Sequence, residues 1–129
     1  MKKYIPFLLT LLLLAGCAAP AAQEGTYRQI TMDETIVMME EEESNYIILD
    51  VRTPEEFSEK HIPGAINIPN ETIGTEEVPE LPDKDQLILI YCRSGNRSKQ
   101  ASEKLVRLGY TNIVEFGGIN DWPGDTVNG

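Results

Sequence analysis

Cysteine is scarce in this chain, with two residues in 129, Cys17 and Cys92. One bridge is the most they could form, so no disulfide framework supports the fold. Positive charge is scarce as well. Eleven lysines and arginines face 21 aspartates and glutamates, for a net charge of −10, and such a surface repels nucleic acid and anionic lipid headgroups. Long hydrophobic runs are missing. The apolar stretch from Ile5 to Ala15 has 11 residues, whereas a helix that crosses a membrane needs about 20. No internal repeat is visible, and the single low-complexity stretch is rich in alanine.

What the amino terminus does contain is a pattern that looks like an export signal. Lys2 and Lys3 form a basic start, Ile5 to Ala15 an apolar centre, and small residues follow, which is the pattern of a cleaved secretory signal. The tetrapeptide Leu14 Ala15 Gly16 Cys17 resembles the lipobox of bacterial lipoproteins. That resemblance implies cleavage after residue 16 and diacylation of the Cys17 sulfur. Two or three acyl chains anchor a protein stably, whereas one binds only marginally. A thioether at Cys17 removes the disulfide option, so Cys92 becomes the one free thiol of an exported chain and thereby a candidate reactive group. Residues 1–16 are thus read as a lipoprotein signal and residues 17–26 as a lipid-anchored tether rich in alanine. Residues 27–129 form one domain. The expected location is the periplasmic or outer face of a bacterial membrane. Since Lys2 and Lys3 leave with the signal, the mature chain sets nine basic residues against 21 acidic ones, and lipid rather than a basic patch must make the membrane link.

Along the domain, strand and helix patterns alternate. Tyr27 to Ile30 suits a short strand, and Thr31 with Glu34 forms a capping box before a helix with Met32, Ile36 and Met39 on one face. Glu40 to Glu43 read as its solvated end. Tyr46 to Val51 is an apolar run expected of a strand buried on both faces. A second short helix has Thr53 at its N-cap, Pro54 at N1 and Glu56 at N3. His61 to Gly64 is a turn, and Ala65 to Ile68 is a strand closed by Pro69. Pro79 and Pro82 allow only brief helical turns before the strand Leu87 to Tyr91. The next helix carries Ala101, Leu105 and Leu108 on one face and stops at Gly109. Asn112 to Phe116 is the last strand, and Gly117 and Gly118 lead to a closing segment with Trp122. About five strands with intervening helices predict a doubly wound parallel α/β sheet covered on both faces.

Cys92 stands where a strand gives way to the segment Arg93 Ser94 Gly95 Asn96 Arg97 Ser98 and then a helix. Open parallel sheets place reactive groups at the carboxyl ends of their strands. Alone, a free cysteine is most often a small buried hydrophobe. Two arginines crowded behind it argue otherwise, because guanidinium groups are costly to bury without an anion. Loop amides converging on the sulfur, the helix terminus and Arg93 and Arg97 would stabilise a thiolate and hold an anion beside it.

These segments together resemble the single-domain rhodaneses, a family of sulfurtransferases. The matching pieces are Leu49 to Phe57, His61 to Pro69, the loop Cys92 to Ser98, Gly117 with Gly118, and Trp122. Lys60 departs from the glycine that commonly precedes the histidine. The resemblance implies a rhodanese-like α/β fold with a parallel sheet of about five strands. It also implies that Cys92 takes a sulfane sulfur from a small donor such as thiosulfate, becomes a persulfide, and passes the sulfur to a thiol or cyanide. No metal or organic cofactor is required, and a monomeric domain is expected.

Arg93 is the expected grip on an oxyanionic donor, and Gly95 lets the loop turn inward. Ser94 and Asn96 complete the loop, and Ser94 adds no second cation there. Arg97 serves either substrate or an acidic neighbour. Ser98 either caps the helix or holds the thiolate. Asp50 and Arg52 end a strand on the edge of Cys92 and either orient the loop or pair with each other. His61 belongs to a turn and is not expected to act as a base, since a thiolate has no proton to surrender. Two rival functions remain at this level. One is phosphatase or arsenate reductase activity; the phosphatases of the same fold need five residues between cysteine and arginine, and Cys92 and Arg97 are separated by four. A lipoprotein that binds a partner or stores persulfide without turnover is the other.

Overall fold

A parallel sheet with every strand running the same way needs cover on both faces, and the apolar runs of this chain supply strands suited to that environment. The computed structural model describes residues 26–41 and 45–129. The signal, the tether with Cys17 except Thr26, and Glu42 to Ser44 lie outside the described residues. Five strands form one sheet: β1 (Arg28–Gln29), β2 (Ile47–Asp50), β3 (Ile66–Asn67), β4 (Ile88–Cys92) and β5 (Ile113–Gly118). Three α-helices accompany them, α1 (Met32–Glu41), α2 (Pro54–Glu59) and α3 (Asn96–Arg107), with short 3-10 turns at Asn70–Thr72 and Ile119–Asp121. The strand order is β1-β5-β4-β2-β3 and every pairing is parallel. The expected doubly wound sheet is therefore present, and the chain reverses its direction of travel across the sheet between β2 and β4. Cys92 ends one of the two strands at that switch point, where such sheets form their sites.

Side chains alternate across the sheet with period two. Leu49, Val51, Ile88, Ile90, Cys92 and Ile113 pack with Ala101 and Leu105 of α3. Ile48, Leu89, Tyr91, Val114 and Phe116 face the other way, against Met32, Met38 and Met39 of α1 and Trp122. The capping boxes expected at Thr31 and Thr53 both form. On α1 the contact stripe differs from the expected one. Thr35 is its buried residue and Met38 joins Met32 and Met39, while Ile36 stays half-buried outside the cluster. The Thr35 hydroxyl donates to the Thr31 carbonyl at 2.7 Å, which satisfies the polar atom that burial would otherwise strand. After α3 the Tyr110 amide returns to the Leu105 carbonyl and the Gly109 amide to Val106, with Gly109 at φ 100°. This is the Schellman ending that glycine favours.

Two boundary corrections bear on the site. β4 continues through Cys92, and β5 runs two residues past Phe116 to Gly118. Ile90 pairs with Glu115 but Cys92 pairs with Gly118, so β5 spends one extra residue over that step. Gly117, at φ 106°, lies in this bulge. Bulges of this kind re-aim side chains and are over-represented beside active sites.

Candidate active site

The loop after β4 is held from below by backbone rather than by side chains. A Cβ on Gly118 would collide with the Arg93 carbonyl and come within 2.6 Å of Ser94 Cα. The Asn120 amide also donates to the Arg93 carbonyl at 3.2 Å. Gly95 is N-cap of α3 at φ 112°, a region where an L side chain is strained. In that conformation its amide donates to Cys92 Sγ at 3.0 Å. Of the loop amides among the described residues, this one reaches the sulfur. The expected convergence of several amides reduces to one donor at the positive end of α3, and it favours sulfur carrying negative charge.

Cys92 is 1% exposed and Ser98 is fully buried beside it. The Cys92 thiol donates to Ser98 Oγ at 3.4 Å. Ser98 occupies the third position of α3, and Gly95 is the N-cap without a side-chain cap bond, so the capping alternative for Ser98 does not hold. Its hydroxyl reaches the Gly95 carbonyl at 3.0 Å and Glu115 Oε2 at 2.5 Å. Arg93, Ser94 and Asn96 are exposed on the outside of the loop. Among the described residues Arg93 enters no ion pair, which leaves its guanidinium available to an anion.

Arg97 is differently placed. Its guanidinium makes a forked pair with Glu56, at 2.8 and 3.1 Å. Arg97 is thus paired with an acidic neighbour, one of the two roles open to it. It also ties the first turn of α3 to the first turn of α2. Glu56 sits at N3 of α2 and shares its carboxylate with the Thr53 cap. The Arg97 hydrogen bonds hold the Glu56 carboxyl down at about 2, against the opposing effect of burial and with help from Thr53.

Asp50 and Arg52 pair with each other at 2.7 Å, both buried. Arg52 also donates to the Lys60 carbonyl at 2.6 Å and lies over the Tyr91 ring, 5.7 Å from its centroid. Tyr91 belongs to the opposite face of the sheet from Cys92. The pair therefore braces the segment after α2, and among the described residues its side-chain bonds run to each other and to Lys60 rather than to the Cys92 loop. His61 stacks on Phe57 at 3.7 Å and its Nδ1 lies 2.9 Å from the Phe57 carbonyl, consistent with a turn residue. Among the described residues no group of three or more His, Cys, Asp or Glu side chains could hold a metal ion.

Two site residues were not singled out by sequence. Glu56 was visible as a helix cap but not as the partner of Arg97. Glu115 is 2% exposed and lies within the run Ile113 Val114 Glu115 Phe116. A lone carboxylate inside a strand expected to be buried on both faces was the available signal.

Two measurements follow from this geometry. Gly118→Ala should lower stability by about 1–3 kcal/mol, as overpacking does, and disorder the loop around Cys92. Gly74→Ala, where an added Cβ meets nothing within 4 Å, should change little in the same urea titration. The Glu56 carboxyl lies at about 2 in the fold against an ordinary 4.5, so its contribution is complete above the ordinary value and fades as pH falls towards the lower one. Thermal melts from pH 6 down to pH ~2 should show the wild type losing stability over that window. Glu56→Gln, which can still complete the cap, should show a flatter acid limb.

The model of the Rhodanese-like domain family matches residues 31–125. The thiosulfate sulfurtransferase PspE of Escherichia coli is 40% identical over 73 residues, which are 57% of this chain and 70% of that protein. A longer relative, the adenylyltransferase and sulfurtransferase UBA4 of Candida albicans, is 39% identical over 87 residues. This chain spans 62% of itself but only 20% of that protein in the match. Among solved structures, a rhodanese with anions from E. coli superposes with a TM-score of 0.60 at 37% identity, covering 65% of this chain and 99% of the other. With the five-stranded parallel sheet and the cysteine loop at its switch point, these matches show that the chain belongs to the rhodanese-like domain family.

Proposed function

We propose that this protein is a sulfurtransferase that carries a sulfane sulfur as a persulfide on Cys92. The observation that carries the reading is the Gly95 amide directed at Cys92 Sγ at 3.0 Å from the start of α3. A donor of that kind stabilises a thiolate before reaction and a persulfide anion after it. With thiosulfate as donor, the Cys92 thiolate attacks the sulfane sulfur. A new S–S bond forms, the bond from that sulfur to the sulfonate sulfur breaks, and its electron pair leaves with sulfite. A thiol, as thiolate, or cyanide then attacks the outer sulfur of the persulfide and the Cys92 thiolate departs. Arg93, exposed and free of an ion pair among the described residues, is placed to meet the sulfonate oxygens. The steps need no metal or organic cofactor.

The phosphatase alternative loses support in this geometry. Arg97, the arginine an oxyanion would need, follows Cys92 after four residues and is committed to Glu56. We further propose that the domain works at the outer face of a bacterial membrane, held by lipid on Cys17 after cleavage at residue 16. The basic start, short apolar centre and lipobox-like tetrapeptide support that location.

Incubating the full-length protein with thiosulfate should add the mass of one sulfur to the peptide containing Cys92, and cyanide should then remove it as thiocyanate. Cys92→Ser should abolish both. Sulfur added but never released to cyanide or any thiol would identify a storage protein instead, and transfer that survives Cys92→Ser would refute the nucleophile. In a bacterial host, Cys17→Ala should move the protein from the membrane fraction to the soluble one; unchanged membrane association would refute the anchor.

A further inference from the structure

Glu115 has no part in the chemistry above, yet it is the buried carboxylate closest by bonding to the reactive sulfur. Period-two alternation places it on the α3 face of β5, the face that also carries Cys92. Its oxygens are well supplied with donors. Gln29 Nε2 donates to Oε1 at 3.2 Å, the Gly117 amide donates to Oε2 at 2.9 Å, and the Ser98 hydroxyl reaches Oε2 at 2.5 Å. Such a set satisfies the oxygens of the buried carboxylate.

A serine hydroxyl has one proton to donate and lone pairs to accept with. A carboxylate competes for that proton more strongly than a carbonyl or a neutral sulfur, because charge-assisted bonds are about twice as strong. When the Ser98 proton goes to Glu115, Ser98 Oγ can offer Cys92 only a lone pair. The partner that suits a lone pair is a thiol, and Cys92 Sγ lies 3.4 Å from Ser98 Oγ, within reach of such a bond. Forming the thiolate breaks the Cys92 S–H bond, sends the proton to water and leaves the electron pair on sulfur. Ser98 then stands between two anions with a single proton to give.

We propose that Glu115 is a positioning residue that restrains Cys92 as a thiol, by claiming the one proton that Ser98 could otherwise donate to the sulfur. The restraint opposes the Gly95 amide, and the balance of the two sets how much thiolate the loop holds. This extends the reading of Cys92 as the nucleophile and rests on it. The other groups around the pair are few. Tyr27 is close enough for Glu115 to add to the upward push that burial and Glu103 give its hydroxyl. Arg97 faces the sulfur from α3 but is committed to Glu56, and Arg93 lies exposed on the loop.

The test is the pH profile of Cys92 alkylation by iodoacetamide, followed on its own peptide by mass spectrometry in the full-length protein. Alkylation needs no sulfur donor, so its outcome is independent of whether sulfur transfer occurs. Glu115→Gln removes the charge; its amide oxygen can keep the bond from the Gly117 amide, and as a neutral acceptor it competes less strongly for the Ser98 proton, which can then turn to the sulfur. The alkylation midpoint should fall by about one pH unit, which makes the reaction about tenfold faster at a pH below both midpoints. Adding Ser98→Ala to Glu115→Gln should move the midpoint back up, because the freed donor is then lost. An unchanged or raised midpoint in folded Glu115→Gln overturns the proposal. So does a double variant that titrates like Glu115→Gln, since the coupling would then not run through Ser98. If Glu115→Gln does not fold, Glu115→Leu suits the apolar neighbours of β5 and should show the same fall; a midpoint that stays put there overturns the proposal equally.

Discussion

The pairing of β4 with β5, and its slip of one residue between Ile90 and Cys92, governs the geometry of the site. Before the slip, alternation has put Glu115 on the α3 face; after it, Gly118 lies opposite Cys92. Without a side chain at Gly118, the Arg93 carbonyl and Ser94 Cα can rest directly on β5. That contact lets the loop turn tightly enough for the Gly95 amide to return to the sulfur. Gly117 absorbs the extra residue at positive φ, and the carboxylate of Glu115 takes its amide. The polar groups exposed by the irregular pairing are thus satisfied within the site itself.

Charge is distributed around this loop with economy in a chain that has few cations. Arg97 is spent on Glu56, which joins the starts of α2 and α3. Arg52 is spent on Asp50 on the far face of the sheet. Arg93 alone is exposed at the loop and unpaired among the described residues. An anionic donor approaching a strongly acidic protein meets unfavourable long-range potential, so a local guanidinium and a helix terminus have to supply the attraction. Glu115, buried on the other side of the sulfur, works against them.

Much of the fold was legible in the sequence because its signals are local. Both capping boxes and the glycine ending of α3 follow from neighbouring residues and form where expected, and the apolar runs of β2 and β4 form strands within one residue of their expected bounds. The α1 stripe was less legible. A buried Thr35 satisfied by the Thr31 carbonyl behaves as an apolar residue would, and a pattern of apolar types alone passes over it. The ends of β4 and β5 were also less legible, since strand pairing rather than composition carries them on to Cys92 and Gly118.

By itself the sequence determined the parallel α/β class, the cysteine loop and the order of segments that mark a rhodanese, because these depend on residue type and spacing along the chain. The tertiary structure decided what each polar side chain does, because that depends on partners far away in sequence. Arg97 has its partner Glu56 only because the fold brings that residue to it across 41 residues. Ser98 was a helix cap or a thiolate donor until Glu115, 17 residues on, arrived on the same face of the sheet. A hydrogen bond is made with whatever the fold delivers within about 3 Å, and that distance is set by sheet register and alternation.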